Sequence, residues 1–125
     1  MISAFNATLS GMNAASDQLG VAASNIANAL STGETPGDAY HAQEAVQTSK
    51  YGSPYIIVKD KAEPTVELYA PGHSAADGDG FVGYPNVNLA EEITNLFQAE
   101  AAYLANALMF KTIDEMNDTL YEMFA

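Results

Sequence analysis

Apolar residues recur at alternating steps of three and four near both ends of the chain, the spacing of a helix that packs along another helix. The first stripe, interrupted only by Ser16, consists of Ile2, Phe5, Leu9, Met12, Leu19, Ala23, Ile26 and Leu30. The second, with a polar break at Asn117, consists of Leu89, Ile93, Leu96, Ala99, Tyr103, Ala107, Phe110, Ile113, Leu120 and Phe124. Such narrow stripes need a facing helix, so they predict a mainly α protein with an antiparallel, coiled-coil-like terminal pair and an assembly interface along these residues.

The boundaries of these helices carry recognisable signals, and they divide the chain into regions 1–33, 34–87 and 88–125. We expect the first helix to run from residue 3 to about 30, with Gly33 as the left-handed residue beyond its end. Asn88 is placed to cap the second helix, and Glu91, three residues on, completes a capping-box pattern. Region 34–87 then forms an insert between two assembly helices.

The insert contains all five prolines and most of the glycines. Residues 55–58 and 66–69 are rich in β-branched and aromatic side chains, and they predict a hairpin with a longer loop. Residues 40–46 are ambiguous, and 71–83 are rich in turn-forming residues. The insert is therefore expected to be a small β-hairpin with extended segments.

The net charge is −12, with four lysines and no arginine. Nucleic acid and anionic membranes are poor partners for such a chain, because both need clustered basic residues. Asp17 is the only charged residue before Glu34, and this neutral first helix suits contact with further protein on several sides. The second helix is crowded with acids against one lysine, which predicts self-repulsion unless they face solvent or basic neighbours.

Helix formation at the first segment is weakened by Gly11, Gly20 and many Asn and Ser residues. We therefore expect this segment to be loose when free and helical once assembled. There is no basic n-region or continuous apolar run typical of a secretory signal, and no run reaches the roughly 18 apolar residues of a membrane span. Any export is expected to proceed without a cleaved signal peptide and without membrane insertion.

Sequence motifs for catalysis or metal binding are weak. His41 and His73 lie far apart and are more typical of surface or packing residues than of ligands. Asp77 and Asp79 alternate with glycines but lack the ligand spacing and closing glutamate of a calcium loop. With no cysteine and no G-x-S-x-G motif, we expect no catalytic residue, cofactor or metal. An enzyme using His73 and Asp77 stays a minor alternative without an evident substrate.

Several specific strings resemble the bacterial flagellar axial proteins, and most closely the proximal-rod members of the basal-body rod family. Residues 22–29 resemble the Ala and Asn signature that ends the first helix in that family, and 69–88 resemble the stretch before its second helix. The matching positions are Ser24, Asn25, Ala27, Asn28, Tyr69, Pro71, His73, Asp77, Tyr84, Pro85, Asn86, Val87 and Asn88. Ala70 and Ser74 replace an expected Asp and Pro, which leaves open a divergent or duplicated member.

The resemblance implies a structural subunit of the flagellar rod, which crosses the periplasm as a drive shaft. It implies type III export, followed by packing of the terminal helices into a tube with other rod proteins and copies of the chain. Its partners would be those proteins and the export apparatus. The alternative is a soluble helical binding module, such as a flagellar export chaperone or adaptor, which should be stably folded on its own.

Overall fold

Two long terminal helices and two small sheets make up the chain. The computed structural model describes residues 2–124, and side chains from Ser3 to Phe124. The elements are α1 (Ile2–Asn28), β1 (Gln43–Lys50), β2 (Ser53–Asp60), β3 (Thr65–Tyr69), β4 (Phe81–Pro85) and α2 (Leu89–Phe124). The prediction of two terminal helices with a small β region between them is confirmed.

The two helices pack side by side and run in opposite directions. The rings of Phe5 and Phe110 meet edge to face, with centroids 4.9 Å apart. Further along, Gly11 lies against the Asn106 side chain, and Asn25 contacts Glu92. From Gly11 to Asn25, α1 advances fourteen residues while α2 retreats fourteen, from Asn106 to Glu92. The register is therefore constant over about four helical turns.

The seven-residue spacing of α1 holds, but its buried positions lie one or two residues before those of the predicted stripe. Thr8, Ala15 and Ala22 are buried at steps of seven. Within the predicted stripe, four positions, also at steps of seven, are half-buried: Phe5, Met12, Leu19 and Ile26. Leu9, Ala23 and Leu30 are exposed, and the side chain of Ile2 lies outside the described residues. Small residues thus fill the centre of this face, because the neighbouring elements approach it closely.

Helix α2 also turns every seventh residue inward. Glu92, Ala99 and Ile113 are buried, and Asn106 is half-buried. Of the predicted stripe, Leu96, Ala107 and Leu120 are half-buried, as is Asn117 at the polar break. Leu89, Ile93, Tyr103, Phe110 and Phe124 are exposed. Coiled-coil packing as such stays a prediction.

The predicted hairpin between residues 55–58 and 66–69 is wrong in its pairing, although both segments are strands. β2 pairs with β1, and β3 pairs with β4, both antiparallel. The β1–β2 connection is the two-residue turn Tyr51-Gly52, with φ of 53° and 80°. Two left-handed residues match the twist of a hairpin, so β1 and β2 close locally. The ambiguous segment 40–46 therefore contains the start of a strand.

Gly33 does not cap α1 in the left-handed conformation, which corrects that expectation. The glycines of the described residues with positive φ are Gly52 and Gly80. Gly33 instead exchanges two backbone hydrogen bonds of 3.0 Å with Gly83 of β4. A Cβ at either glycine would collide with neighbouring backbone, at residues 38–39 or at Thr35. This close approach brings the chain leaving α1 alongside the strand that leads into α2.

Asn88 caps α2 as predicted, since its Oδ1 accepts hydrogen bonds from the backbone N–H groups of Ala90 at 3.1 Å and Glu91 at 3.4 Å. The Glu91 carboxylate lies 4.0 Å from Lys61 Nζ. The start of α2 is therefore linked both to its own cap and to the insert.

Candidate assembly interface

A buried polar cluster joins the two helices to the insert, and Asn25 is its centre. Asn25 is fully buried, and its Nδ2 donates to Gln43 O at 2.7 Å and to Glu92 Oε1 at 2.9 Å. Its Oδ1 accepts from Gln43 N at 2.9 Å and from Tyr40 OH at 3.1 Å. With both amide protons donated and both lone pairs occupied, Asn25 satisfies its hydrogen-bonding capacity without water.

Glu92 brings a carboxylate into this cluster, with 2% of its surface exposed. Lys61, in the loop between β2 and β3, places its Nζ 3.1 Å from Glu92 Oε1. Asn95 donates to the other carboxylate oxygen at 3.4 Å. A buried charge is tolerated only when paired and hydrogen-bonded, so this Lys61–Glu92 pair holds the insert against α2.

Three further motif positions, Ser24, Ala27 and Asn28, lie beside Asn25 near the end of α1. Ser24 Oγ and Tyr40 OH share a hydrogen bond of 3.0 Å. Asn28 Nδ2 donates to Ser24 O at 2.9 Å inside the last turn of α1, while Ala27 is exposed. The alanine and asparagine signature therefore combines one buried polar anchor with residues that shape the helix end.

His73 and Asp77, the two residues of the enzyme alternative, are both engaged in turns. His73 Nδ1 accepts from Ala75 N at 3.1 Å. Asp77 Oδ1 accepts from the backbone of Asp79 at 3.0 Å and of Phe81 at 2.8 Å. The motif rings pack beside these turns, with Tyr69 and Phe81 centroids 5.4 Å apart. These contacts account for both residues in structural terms.

The motif segment from Tyr84 to Asn88 connects the insert to α2. His73 and Tyr84 pack edge to face at 6.3 Å. Asn86 donates from its backbone N to Pro64 O and from Nδ2 to Glu63 O, both at 2.9 Å. Pro85 is buried, Val87 is half-buried and Asn88 provides the cap. This segment fixes the direction in which α2 leaves the second sheet.

A second apolar stripe runs along the outside of α2, and only its first member belongs to the predicted stripe. Ile93, Phe97, Leu104 and Leu108 are all exposed, Phe97 by 63% and Leu108 by 66%. At 100° per residue these four fall within about 60° of each other, on the side opposite Glu92, Ala99, Asn106 and Ile113. We call these four residues the outer stripe. Their steps of four, seven and four are a helical spacing that was present in the sequence.

Large contiguous apolar surfaces on soluble chains mark interaction sites, so the outer stripe is the strongest candidate for contact with another polypeptide. Leu9 and Leu30 of α1 are also exposed, the latter by 84%. The side chain of Ile2 lies outside the described residues. The use of the predicted stripe residues in assembly stays a prediction.

Within the described part of the chain, no group of three or more His, Cys, Asp or Glu side chains is placed to hold a metal ion. The helices between residues 2 and 124 also include none with the length and apolar character that a membrane crossing requires.

Comparison with known proteins agrees with these motifs. Residues 79–123 match the family model described as the flagellar basal body rod FlgEFG protein C-terminal. Over 123 residues the chain is 32% identical to the flagellar basal-body rod protein FlgC of Escherichia coli O6:H1, covering 93% of this chain and 92% of that one. The same figures hold for FlgC of Salmonella typhimurium. FlgC of Agrobacterium fabrum is 35% identical over 105 residues, 78% of this chain and 76% of that one. The chain belongs to the FlgC family of flagellar basal-body rod proteins.

Proposed function

We propose that the chain is a structural subunit of the flagellar basal-body rod and is held in the rod wall through the outer faces of its terminal helices. Membership of the rod-protein family supports the first part. The outer stripe of α2 supports the second, because residues such as Phe97 and Leu108 are exposed by 63% and 66% and so remain mostly uncovered.

The surface area of the chain supports an assembled rather than a solitary role. A compact monomer of 13.2 kDa is expected to expose about 6,400 Å², whereas this chain exposes 8065 Å². The excess follows from a long helix pair that buries one side of α2 and leaves the other uncovered. Packing against neighbouring subunits would remove this surface from water and stabilise the helices.

In the finer form of the proposal, the antiparallel pair packs as a coiled coil with other rod proteins and with copies of the chain, and builds the tube of the proximal rod. The insert lies outside the tube wall. The subunit reaches this place in the periplasm through the flagellar type III apparatus without signal cleavage. A marginal helix pair suits that route, since export requires an extended chain and assembly supplies the missing contacts.

The test is incorporation into basal bodies in a strain that lacks its own FlgC. A tagged copy of the chain should restore motility and be recovered with purified basal bodies. The Phe97→Asp variant should neither restore motility nor be recovered with basal bodies, because it places an unpaired charge in the proposed interface. Tyr51→Asp is the matched control, since Tyr51 is an aromatic residue 97% exposed at the tip of the β1–β2 hairpin.

Two results would contradict the proposal. The first is a chain that restores motility but is absent from the basal body, as expected of an export chaperone or adaptor. The second is normal incorporation of the Phe97→Asp variant, which would exclude the outer stripe from the interface.

A further inference from the structure

Within the described residues, 2–124, helix α2 extends beyond the first residue of α1. Because Phe5 faces Phe110, the first residue of α1 lies opposite about residue 113. α2 continues to Phe124, so residues 114–124 project by about 16 Å. We call residues 114–124 the overhang. Met123 is 74% exposed and Phe124 is 87% exposed, so little of this chain covers them.

The overhang is amphipathic. At 100° per residue, Met116, Leu120, Met123 and Phe124 fall on one side of the helix, continuing the line of Ile113. The acidic residues fall on the other side and its flanks, and they are Asp114, Glu115, Asp118 and Glu122. An apolar helix face with charged flanks is the arrangement by which helices bind into grooves.

The charges of the overhang are unfavourable within this chain. Asp114, Asp118 and Glu122 follow one another at steps of four, so like charges lie on adjacent turns. Glu122 also lies in the last turn, at the negative end of the helix dipole, and that turn has no basic residue. Lys111 lies 3.5 Å from Glu115, which is not one of these three acids. Cations from outside the chain would relieve this repulsion.

A second copy of the chain is poorly suited to supply those cations. Its net charge is −12, and it has four lysines and no arginine. Lys59 is paired with Glu44 at 2.8 Å and Lys61 with Glu92 at 3.1 Å. Lys50 lies at the hairpin turn, 5.5 Å from the Tyr51 ring. A polypeptide with more basic residues than this chain would complement the overhang better.

We propose that the overhang is a docking helix that binds an apolar groove bordered by Lys and Arg on a different rod polypeptide, and not on a second copy of this chain. This inference rests on the proposed function and adds to it the chemistry of one partner. The apolar side of the overhang fills the groove, and the carboxylates on its flanks meet the basic border.

The test reverses charge in the full-length chain and measures recovery with purified basal bodies. The variant Asp118→Lys with Glu122→Lys should reduce incorporation about tenfold, since it replaces two attractions by repulsions. The control, Glu63→Lys with Glu67→Lys in the insert, changes net charge equally and should stay within about twofold of the unsubstituted chain. Circular dichroism should show equal or higher helix content for the overhang variant, which excludes unfolding as the cause.

A photo-crosslinking amino acid in place of Tyr121, which is 77% exposed, identifies the partner. The expected adduct joins the chain to another rod polypeptide, at a peptide of that protein containing Lys or Arg. A main adduct between two copies of this chain, an acidic peptide at the crosslink, no adduct in intact basal bodies, or normal incorporation of the overhang variant would overturn the proposal. Absence of the unsubstituted chain from basal bodies would instead contradict the proposed function.

Discussion

Asn25 on α1 donates a hydrogen bond of 2.9 Å to Glu92 on α2, joining residues 67 positions apart in the sequence. The same carboxylate oxygen accepts from Lys61 of the insert at 3.1 Å. One buried oxygen thus connects all three regions of the chain. A polar contact of this kind fixes the helix register, because a shifted register would leave Asn25 and Glu92 unpaired away from water.

Removing the cation of this cluster should destabilise the fold. We expect Lys61→Met to lower the free energy of unfolding by about 2–3 kcal/mol, since the Glu92 carboxylate stays buried without its charge partner and Lys61 is itself partly exposed. Urea unfolding followed by circular dichroism measures this, in trimethylamine N-oxide to favour the compact state.

The matched control is Lys59→Met, which breaks the exposed Lys59–Glu44 pair and should cost less than about 1 kcal/mol. Adding Glu92→Gln to Lys61→Met should recover most of the loss, because a neutral amide still accepts from Asn25. Equal effects of the two lysine substitutions would show that the buried cluster carries no special stability.

Gly33 and Gly83, whose backbones hydrogen-bond to each other, should tolerate no side chain. Gly83→Ala would place a Cβ 2.5 Å from Thr35 O, and we expect it to cost about 1–3 kcal/mol. Gly20→Ala is the control, because open space surrounds that position and alanine favours the helix by about 1 kcal/mol. The midpoint temperature of thermal unfolding should therefore fall for Gly83→Ala and rise for Gly20→Ala. A neutral Gly83→Ala variant would be incompatible with the close backbone approach.

The Asn88 cap should contribute measurably to the start of α2. We expect Asn88→Ala to destabilise this end by about 1 kcal/mol, because the N–H groups of Ala90 and Glu91 lose their acceptor. Asn88→Ser should retain most of the effect. Amide hydrogen exchange at residues 90 and 91, measured in the assembled chain of purified basal bodies, is the test, and unchanged protection in the alanine variant would argue against the cap.

Phe110 should matter for pairing within the chain as well as for assembly. Phe110→Asp removes the ring that packs on Phe5 and places a carboxylate at the helix contact, so we expect it to block incorporation and motility. Phe110→Met keeps an apolar side chain and should incorporate. In the isolated chain with trimethylamine N-oxide to favour the compact state, Phe110→Asp should reduce helix content, whereas Phe97→Asp should not. Normal motility of the Phe110→Asp strain would contradict the role of this contact.

Local chemistry made part of the fold predictable. The stripes located both helices, and Asn88 marked the start of α2, because helical spacing and capping depend on neighbouring residues. Strand pairing was not predictable from the apolar runs alone. The Tyr51-Gly52 turn lacks the usual Asn-Gly signal, and the partner of β3 lies beyond a turn-rich segment.

The candidate interface was also predicted only in part. Leu9 and Ile93 were assigned to inward stripes, yet both are exposed, because Thr8 and Glu92 beside them take the inward positions. Phe97 and Leu108 were missed because α2 carries two apolar stripes, and the sequence does not say which of them faces inward. Asn25 was identified by resemblance, but its contacts with Gln43 and Glu92 depend on residues distant in sequence.

The central claim is that the helix pair is incomplete without its neighbours. Amide hydrogen exchange of α1 and α2 tests it most directly, comparing the free chain in dilute buffer with the chain in purified basal bodies. We predict rapid exchange along both helices in the free chain and protection at least about a hundredfold greater after assembly. Full protection of both helices in a free monomer, unchanged on assembly, would contradict the account.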